Sequence, residues 1–283
     1  ILNGTPVVKD EMDLYWQMEM LDSRIIPYNA EDFRSSFFDK RIYHQSKRRD
    51  VVTYKFAKQN AEALAKMVAP YTFQVDVDYG ISENDKIIVV EPTAETRKAY
   101  SKLKHQALEN IGNADAFMGC LTKMAHVAAI DANRIAKTAE LVDQGYPTIV
   151  YASFVAEAVK LKDELNTNWL IMGKTRADER RRYLNLFEIT GKHPLILTYG
   201  TGSYGLNLQF ASNVVFNSYG WNYGQLEQAK ARVLRIGQRN KVNFTFVEST
   251  LPIQKIIRRC IDKKTTLTEF VKEELIDKAE ELL

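Results

Sequence analysis

Metal-ligand and disulfide chemistry have little to work with in this sequence. Two cysteines, Cys120 and Cys260, stand alone in 283 residues. They match neither a metal-ligand spacing nor a disulfide framework, which points to a reducing, cytoplasmic setting. The four histidines, His44, His105, His126 and His193, are scattered, so no metal site is expected. No apolar run approaches the roughly 18–20 residues that span a bilayer, so no membrane partner is expected. A signal peptide is also absent from the N-terminus, as are internal repeats and low-complexity linkers. The chain opens at Ile1 without an initiator methionine and is expected to be a piece of a longer protein. Neither sign of charge dominates: the net charge is +3, which says little about partners. Lys and Arg nevertheless cluster at 47–49, 180–182, 239 with 241, 258–259 and 263–264. Such clusters can track a phosphate backbone or can be solvated helix faces.

What is present is a regular alternation from about Thr148 onward. Short apolar runs at 148–153, 169–172, 195–199, 213–216 and 243–247 read as strands. Between or after them, 154–165, 177–188, 223–234 and 253–261 read as amphipathic helices, the first with Val155, Ala158, Leu161 and Leu165 inward. This pattern predicts an α/β fold, a parallel sheet with helices on both faces and ligands at the carboxyl ends of the strands. The first 130 residues are less regular. A helix is expected over 61–68, a strand over 86–90, and a helix over 93–106 with Thr93 as its N-cap. Residues 107–147 read as mostly helical, and 265–283 as an amphipathic C-terminal helix.

Three motifs invite a functional reading and fail it. Gly200, Gly202 and Gly205 match G-x-G-x-x-G, but only residues 206–211 separate them from the next strand, and no ribose-binding acid follows it. Gly173-Lys174-Thr175 resembles the end of a phosphate-cradling loop, yet Asn168 stands where the loop needs its first glycine. Asp10-Glu11-Met12-Asp13 spells a magnesium-binding box, but no buried strand precedes it, and surface acids near a turn account for it.

The segment Gln228-Ala-Lys-Ala-Arg232-Val-Leu-Arg235-Ile-Gly237-Gln238 carries the most chemistry. On a helix, spacings of four and three place Gln228, Arg232 and Arg235 on one face, with planar donors suited to a phosphate. A surface stripe of long polar side chains has the same pattern. The order of neighbouring segments resolves it, because they resemble the Swi/Snf family of DNA-dependent ATPases in helicase superfamily two. The 228–238 block is similar to that family's sixth helicase motif, and Gly202–Leu208 to its fifth. Trp221-Asn222 followed by Gln228-Ala229 resembles the tryptophan-asparagine segment, Ile149–Leu165 the fourth motif, and Gly173–Thr175 with Glu179, Arg180 and Phe187 the segment after it. Gly4-Thr5-Pro6 resembles the third motif of the first lobe. Ser203 stands where the family has a second glycine, and Ser218 where it has an acid before the tryptophan.

The resemblance implies a two-lobed motor of which 1–110 is the end of the first RecA-like lobe with a linker, mostly helical. Residues 111–262 would be the second RecA-like lobe and 263–283 a C-terminal helix. ATP and Mg would be bound mainly by the part of the first lobe outside this sequence, so the chain alone is expected to be inactive. By motif position Arg235 and Arg232 are the catalytic residues, Arg235 as arginine finger. Gln228, Gly205 and Asn207 are expected at the nucleotide. Ser153, Thr198, Gly200 and Trp221 are expected on DNA, bound without regard to sequence. A compact second lobe without large insertions looks bacterial or phage-like. The alternative is a nucleic-acid-binding or regulatory module without catalysis.

Overall fold

A computed structural model describes residues 7, 10–45, 49–73, 83–142, 146–202, 206–264 and 267–271. Gly4-Thr5-Pro6, Gly205 and most of the expected C-terminal helix lie outside these residues. The chain divides into two compact units, Ile1–Val77 and Asp78–Leu283. Among the described residues no helix is long and apolar enough to cross a membrane.

The first unit holds α1 (Met12–Leu21), α2 (Ala30–Phe37), an antiparallel ribbon of β1 (Phe38–Gln45) and β2 (Arg49–Phe56), and α3 (Ala61–Val68). Its core gathers Tyr15, Phe33, Phe37, Phe38 and Leu64. The acidic run is a helix start: Asp10 accepts a hydrogen bond from the Met12 amide at 2.9 Å. Asn29 caps α2 by accepting from the amides of Glu31 and Asp32.

The second unit runs β3 (Glu83–Val90), α4 (Ala94–Glu109), α5 (Ala114–Ala129), α6 (Ala132–Val142), β4 (Thr148–Ala152) and α7 (Val155–Glu164). It continues through β5 (Leu170–Ile171), α8 (Ala177–Thr190), β6 (Leu195–Thr198), α9 (Tyr199–Gly202), β7 (Asn213–Phe216) and α10 (Tyr223–Lys230). The last elements are β8 (Val242–Ser249), α11 (Pro252–Asp262) and α12 (Leu267–Phe270). Six parallel strands lie in the order β3-β8-β7-β4-β6-β5, a RecA-like α/β sheet. Side chains alternate across it. Ile149, Tyr151, Leu197, Phe216 and Phe244 face α5, α10 and α11, while Val150, Ala152, Ile196 and Val215 face α6 and α7. Burial on both faces explains why these strands read as unbroken apolar runs.

Two expectations change. The boundary expected at 110 falls at 77, because β3 pairs in register with β8, Glu83 opposite Val242 through Val90 opposite Ser249. Strand β3 and helix α4 therefore belong to the second unit. In α7, Val155 is 53% exposed and Glu157 takes the inward position instead.

Thr93 caps α4 as expected, accepting from the Thr96 amide at 3.2 Å. Its own amide and hydroxyl both donate to Asp131 Oδ2 at 2.9 Å, and the other oxygen of Asp131 accepts from the Arg134 amide at the start of α6. Burial pushes the Asp131 carboxyl up, but the hydrogen bonds from Thr96, Thr93 and Arg134 outweigh it and leave the group below its ordinary value. A carboxyl lowered on folding stabilises fully above its unfolded pKa and loses that contribution as pH falls through the folded value. Asp131→Asn is therefore expected to cost stability at pH 6, and the gap to wild type should narrow below about pH 4. Urea melts at both pH values check this; an equal gap at both would contradict it.

Candidate functional site

The helix that carries Gln228 stops at Lys230, short of the expected Leu234. Backbone bonding then tightens from i−4 to i−3: the Arg232 amide donates to Ala229 O and the Val233 amide to Lys230 O. Arg232 and Arg235 thus sit on turns after the helix, not on its face. Lys230 anchors the end of α10, reaching Glu83 and Asp85 of β3 at 3.2 and 3.1 Å and lying over the Phe244 ring.

The next turn explains the end of the motif. Gly237 has φ +100°, a conformation that a side chain would strain. Gln238 is buried and clamps the loop from inside. Its Nε2 donates to Ala211 O, and its Oε1 accepts from the amides of Arg239 and Asn240. The result holds Arg235 out: the residue is exposed, and its Nη1 donates to Asn207 Oδ1 at 2.5 Å. Ile236 beside it is 77% exposed. Arg232 is half-buried; its carbonyl accepts from the Leu208 amide, and its charge is felt by the buried Tyr151 hydroxyl. Gln228 is half-buried on α10. The structure therefore brings Arg235, Asn207 and the Arg232 backbone to one loop pair, 206–208 against 232–238.

The expected nucleic-acid residues gather at the carboxyl ends of β4, β6 and β7. Ser153 follows β4; its amide donates to Glu157 Oε2 at 3.0 Å and to Ser218 Oγ at 3.1 Å, while its own hydroxyl is buried without a partner. The Thr198 hydroxyl is buried and spent on Thr201 at 3.0 Å, so it does not reach the surface. Gly200 beside it is exposed. Trp221 is half-buried against the core and lines a small cavity of about 20 Å³ with Phe154, Ser218 and Ile253. Gly173–Thr175 forms a local turn in which Thr175 Oγ1 accepts from the Met172 amide and donates to Leu170 O, leaving no phosphate cradle. A crevice of about 800 Å³ opens among Tyr146, Glu164, Lys192 and His193 at the amino ends of β4 and β6, away from these residues.

Beneath the strand ends lies a polar cluster that motif reading missed. Arg134 is fully buried and donates to the carbonyls of Asn217, Val247 and Ala128. Asn217 donates to Glu157 Oε1 at 2.6 Å and accepts from Thr138 Oγ1 at 2.6 Å. Glu157 Oε2 accepts from Ser218 Oγ at 2.7 Å and from the amides of Ser153 and Phe154. Burial pushes the Glu157 carboxyl up and the Arg134 guanidinium down from their ordinary values. Where the resemblance leads one to expect an acid, Ser218 meets a carboxylate delivered from 157. The only available signal was polar residues at i, i+3 and i+7, Asp131, Arg134 and Thr138, on the inward stripe of one helix.

With this geometry in place, the comparisons are specific. Residues 133–237 match the helicase conserved C-terminal domain. Among the curated proteins, the chain's relatives include members of the Swi/Snf family, of whose length it covers a small part. It is 37% identical over 94 residues to the transcription regulatory protein SNF2 of Saccharomyces cerevisiae, a match that covers 32% of this chain and 6% of that protein. The fold is similar to the Sulfolobus solfataricus SWI2/SNF2 ATPase core domain, with TM-score 0.59, 14% identity, and coverage of 80% of this chain and 55% of that one. It is also similar to the Sulfolobus solfataricus SWI2/SNF2 ATPase core in complex with dsDNA, with TM-score 0.58, 18% identity, and coverage of 79% and 55%.

Proposed function

We propose that the chain is the second motor lobe of an ATP-driven helicase or translocase that moves on DNA, working with a first lobe of the same protein. The observation that carries this reading is Arg235, held outward by the Gly237 turn and the Gln238 clamp inside a helicase conserved C-terminal domain. Phosphoryl transfer needs charge neutralisation more than covalent chemistry, and a positioned arginine supplies it. When bound, ATP with Mg supplies the phosphoryl group and part of its neutralisation. The first lobe would hold both, since no G-x-x-x-x-G-K-[ST] loop occurs in this sequence. On this side Arg235 donates to the developing charge, Arg232 neutralises the terminal phosphate, and Gln228 orients them or the nucleotide, while a glycine at 205 permits close approach of the nucleotide. Asn207 aims the Arg235 fork.

DNA would run over the carboxyl ends of the strands, near Ser153, Gly200 and Trp221, with Thr198 shaping the turn beneath. Backbone contacts of this kind position without reading sequence. The Sulfolobus relative solved with dsDNA supports this partner. The test is equilibrium binding of this chain to mixed-sequence duplexes across a salt series. The logarithm of affinity should fall linearly with the logarithm of salt, by about 0.9 per phosphate contacted. Affinity that ignores ionic strength, or that favours one sequence strongly, sinks the reading.

A further inference from the structure

Charge in the first unit is segregated. Residues 1–37 carry three Lys and Arg against seven Asp and Glu. Residues 38–56, which span β1, β2 and the three residues between them, carry six Lys and Arg against two Asp. The ribbon is fastened at its base. Phe38 and Phe56 pair directly, ring centroids 5.5 Å apart, and Phe38 is buried in the unit's core. The Ala57 amide donates to Phe37 O, and Asn60 Nδ2 donates to Ser36 O. Outward from there the ribbon leaves the core. Lys40, Arg41 and Lys55 are exposed, Ile42 is 50% exposed, and Val52 opposite it is 42% exposed.

We propose that this ribbon is a duplex-DNA contact in its own right, entering a groove with its cations against the flanking phosphates. The identity of the polyanion rests on the motor reading above; the shape and charge do not. Two paired strands of eight residues make an arm of about 26 Å. A two-stranded ribbon fits the major groove, about 12 Å wide. The alternation of strand faces puts Lys40 and Tyr54, then Ile42 and Val52, on one side, and Arg41 and Lys55 on the other. The ribbon thus offers an aliphatic pair beside Lys40 to the groove floor, with Arg41 and Lys55 on the opposite face. Single strands are instead held by stacking bases on open aromatic faces. Here the exposed apolar pair is aliphatic, and one face of the Tyr54 ring is taken by the Arg34 guanidinium at 5.4 Å. The ribbon therefore suits paired DNA.

The test uses this chain, a 20-base-pair mixed-sequence duplex and the matching single strand, across a salt series. Lys40→Ala with Arg41→Ala leaves the aromatic base untouched and should keep the wild-type melting temperature. It should weaken duplex binding at least about tenfold at low salt and make the log–log slope shallower by about 2, near 0.9 for each lost contact. Lys66→Ala removes an exposed cation of the same unit, paired with Glu62 outside the ribbon, and should change neither. Wild type that binds the duplex, with the ribbon variant matching it in affinity and slope, overturns the ribbon assignment and leaves the motor reading standing. An equal loss on duplex and single strand overturns the groove assignment. Wild type that binds no DNA sinks the motor reading first.

Discussion

Arg235→Ala is expected to lower nucleic-acid-stimulated ATP turnover by about 10³-fold or more when the chain works with its first lobe, with ATP affinity and folding nearly unchanged. Arg235 is exposed, and Asn207, which accepts its hydrogen bond, is exposed too. Losing that bond costs no more than about 1 kcal/mol, a shift of roughly 2–4 °C in melting temperature. The turn survives because Gln238 and Gly237 hold it, not Arg235. Arg235→Lys should fail almost as badly, since an ammonium cannot reproduce the planar fork. Asn207→Ala leaves the guanidinium in place but unaimed and should fall between the two. Turnover, ATP affinity and melting temperature on the same variants decide the matter. Normal turnover in Arg235→Ala refutes the finger, and joint loss of stability and turnover assigns it a structural role. A non-catalytic binding module gives no turnover in wild type under any of these conditions.

How much of this was legible in the sequence depended on where each signal lay. The central strands were readable because both faces are covered, so Ile149–Ala152 and Leu195–Leu197 are apolar without interruption. Strand β3 was found, but its membership was not. Its partner β8 lies some 150 residues away, and nothing local reports a parallel pairing at that distance. The end of α10 was overrun because inward residues continue past it: Val233 is buried and Leu234 packs on the core, and the Leu234 amide still makes one i−4 bond to Lys230 O although the helix has ended. The β1–β2 ribbon was invisible. Cations interrupt its apolar alternation, and the Ser-Lys-Arg sequence between the strands lacks the Asn-Gly or Asp-Gly signature of a tight hairpin. Arg235, Arg232 and Gln228 were legible only through the order of motifs. The buried Arg134 and Glu157 were hidden because a charged residue on an inward stripe reads as an outward one, as the exchange of Val155 for Glu157 illustrates.

That hidden pair should dominate the stability of the second unit. Arg134 stitches α6 to the carboxyl ends of β7 and β8 and to α5 through three backbone carbonyls, and Asn217 joins it to Glu157. Removing one partner of a buried charged pair typically costs about 3–5 kcal/mol, because the other is left uncompensated in a medium that solvates it poorly. Arg134→Leu should therefore lower the melting temperature by roughly 6–20 °C, at about 2–4 °C per kcal/mol for a domain of this size. Arg134→Lys keeps the charge but cannot span three carbonyls, and should fall between. Glu157→Ala should cost as much as Arg134→Leu. Glu157→Gln should cost less, about 1–3 kcal/mol, because its oxygen can still accept from Ser153, Phe154 and Ser218 while its amide faces the Asn217 amide, a donor against a donor. The double variant Arg134→Leu with Glu157→Ala removes both charges and should recover part of the loss, as expected when the penalty is an orphaned charge and not lost packing. Thermal melts of the four single variants and the double variant measure this directly. Single-variant losses under about 1 kcal/mol, or strictly additive losses in the double, would show that the cluster is a bystander.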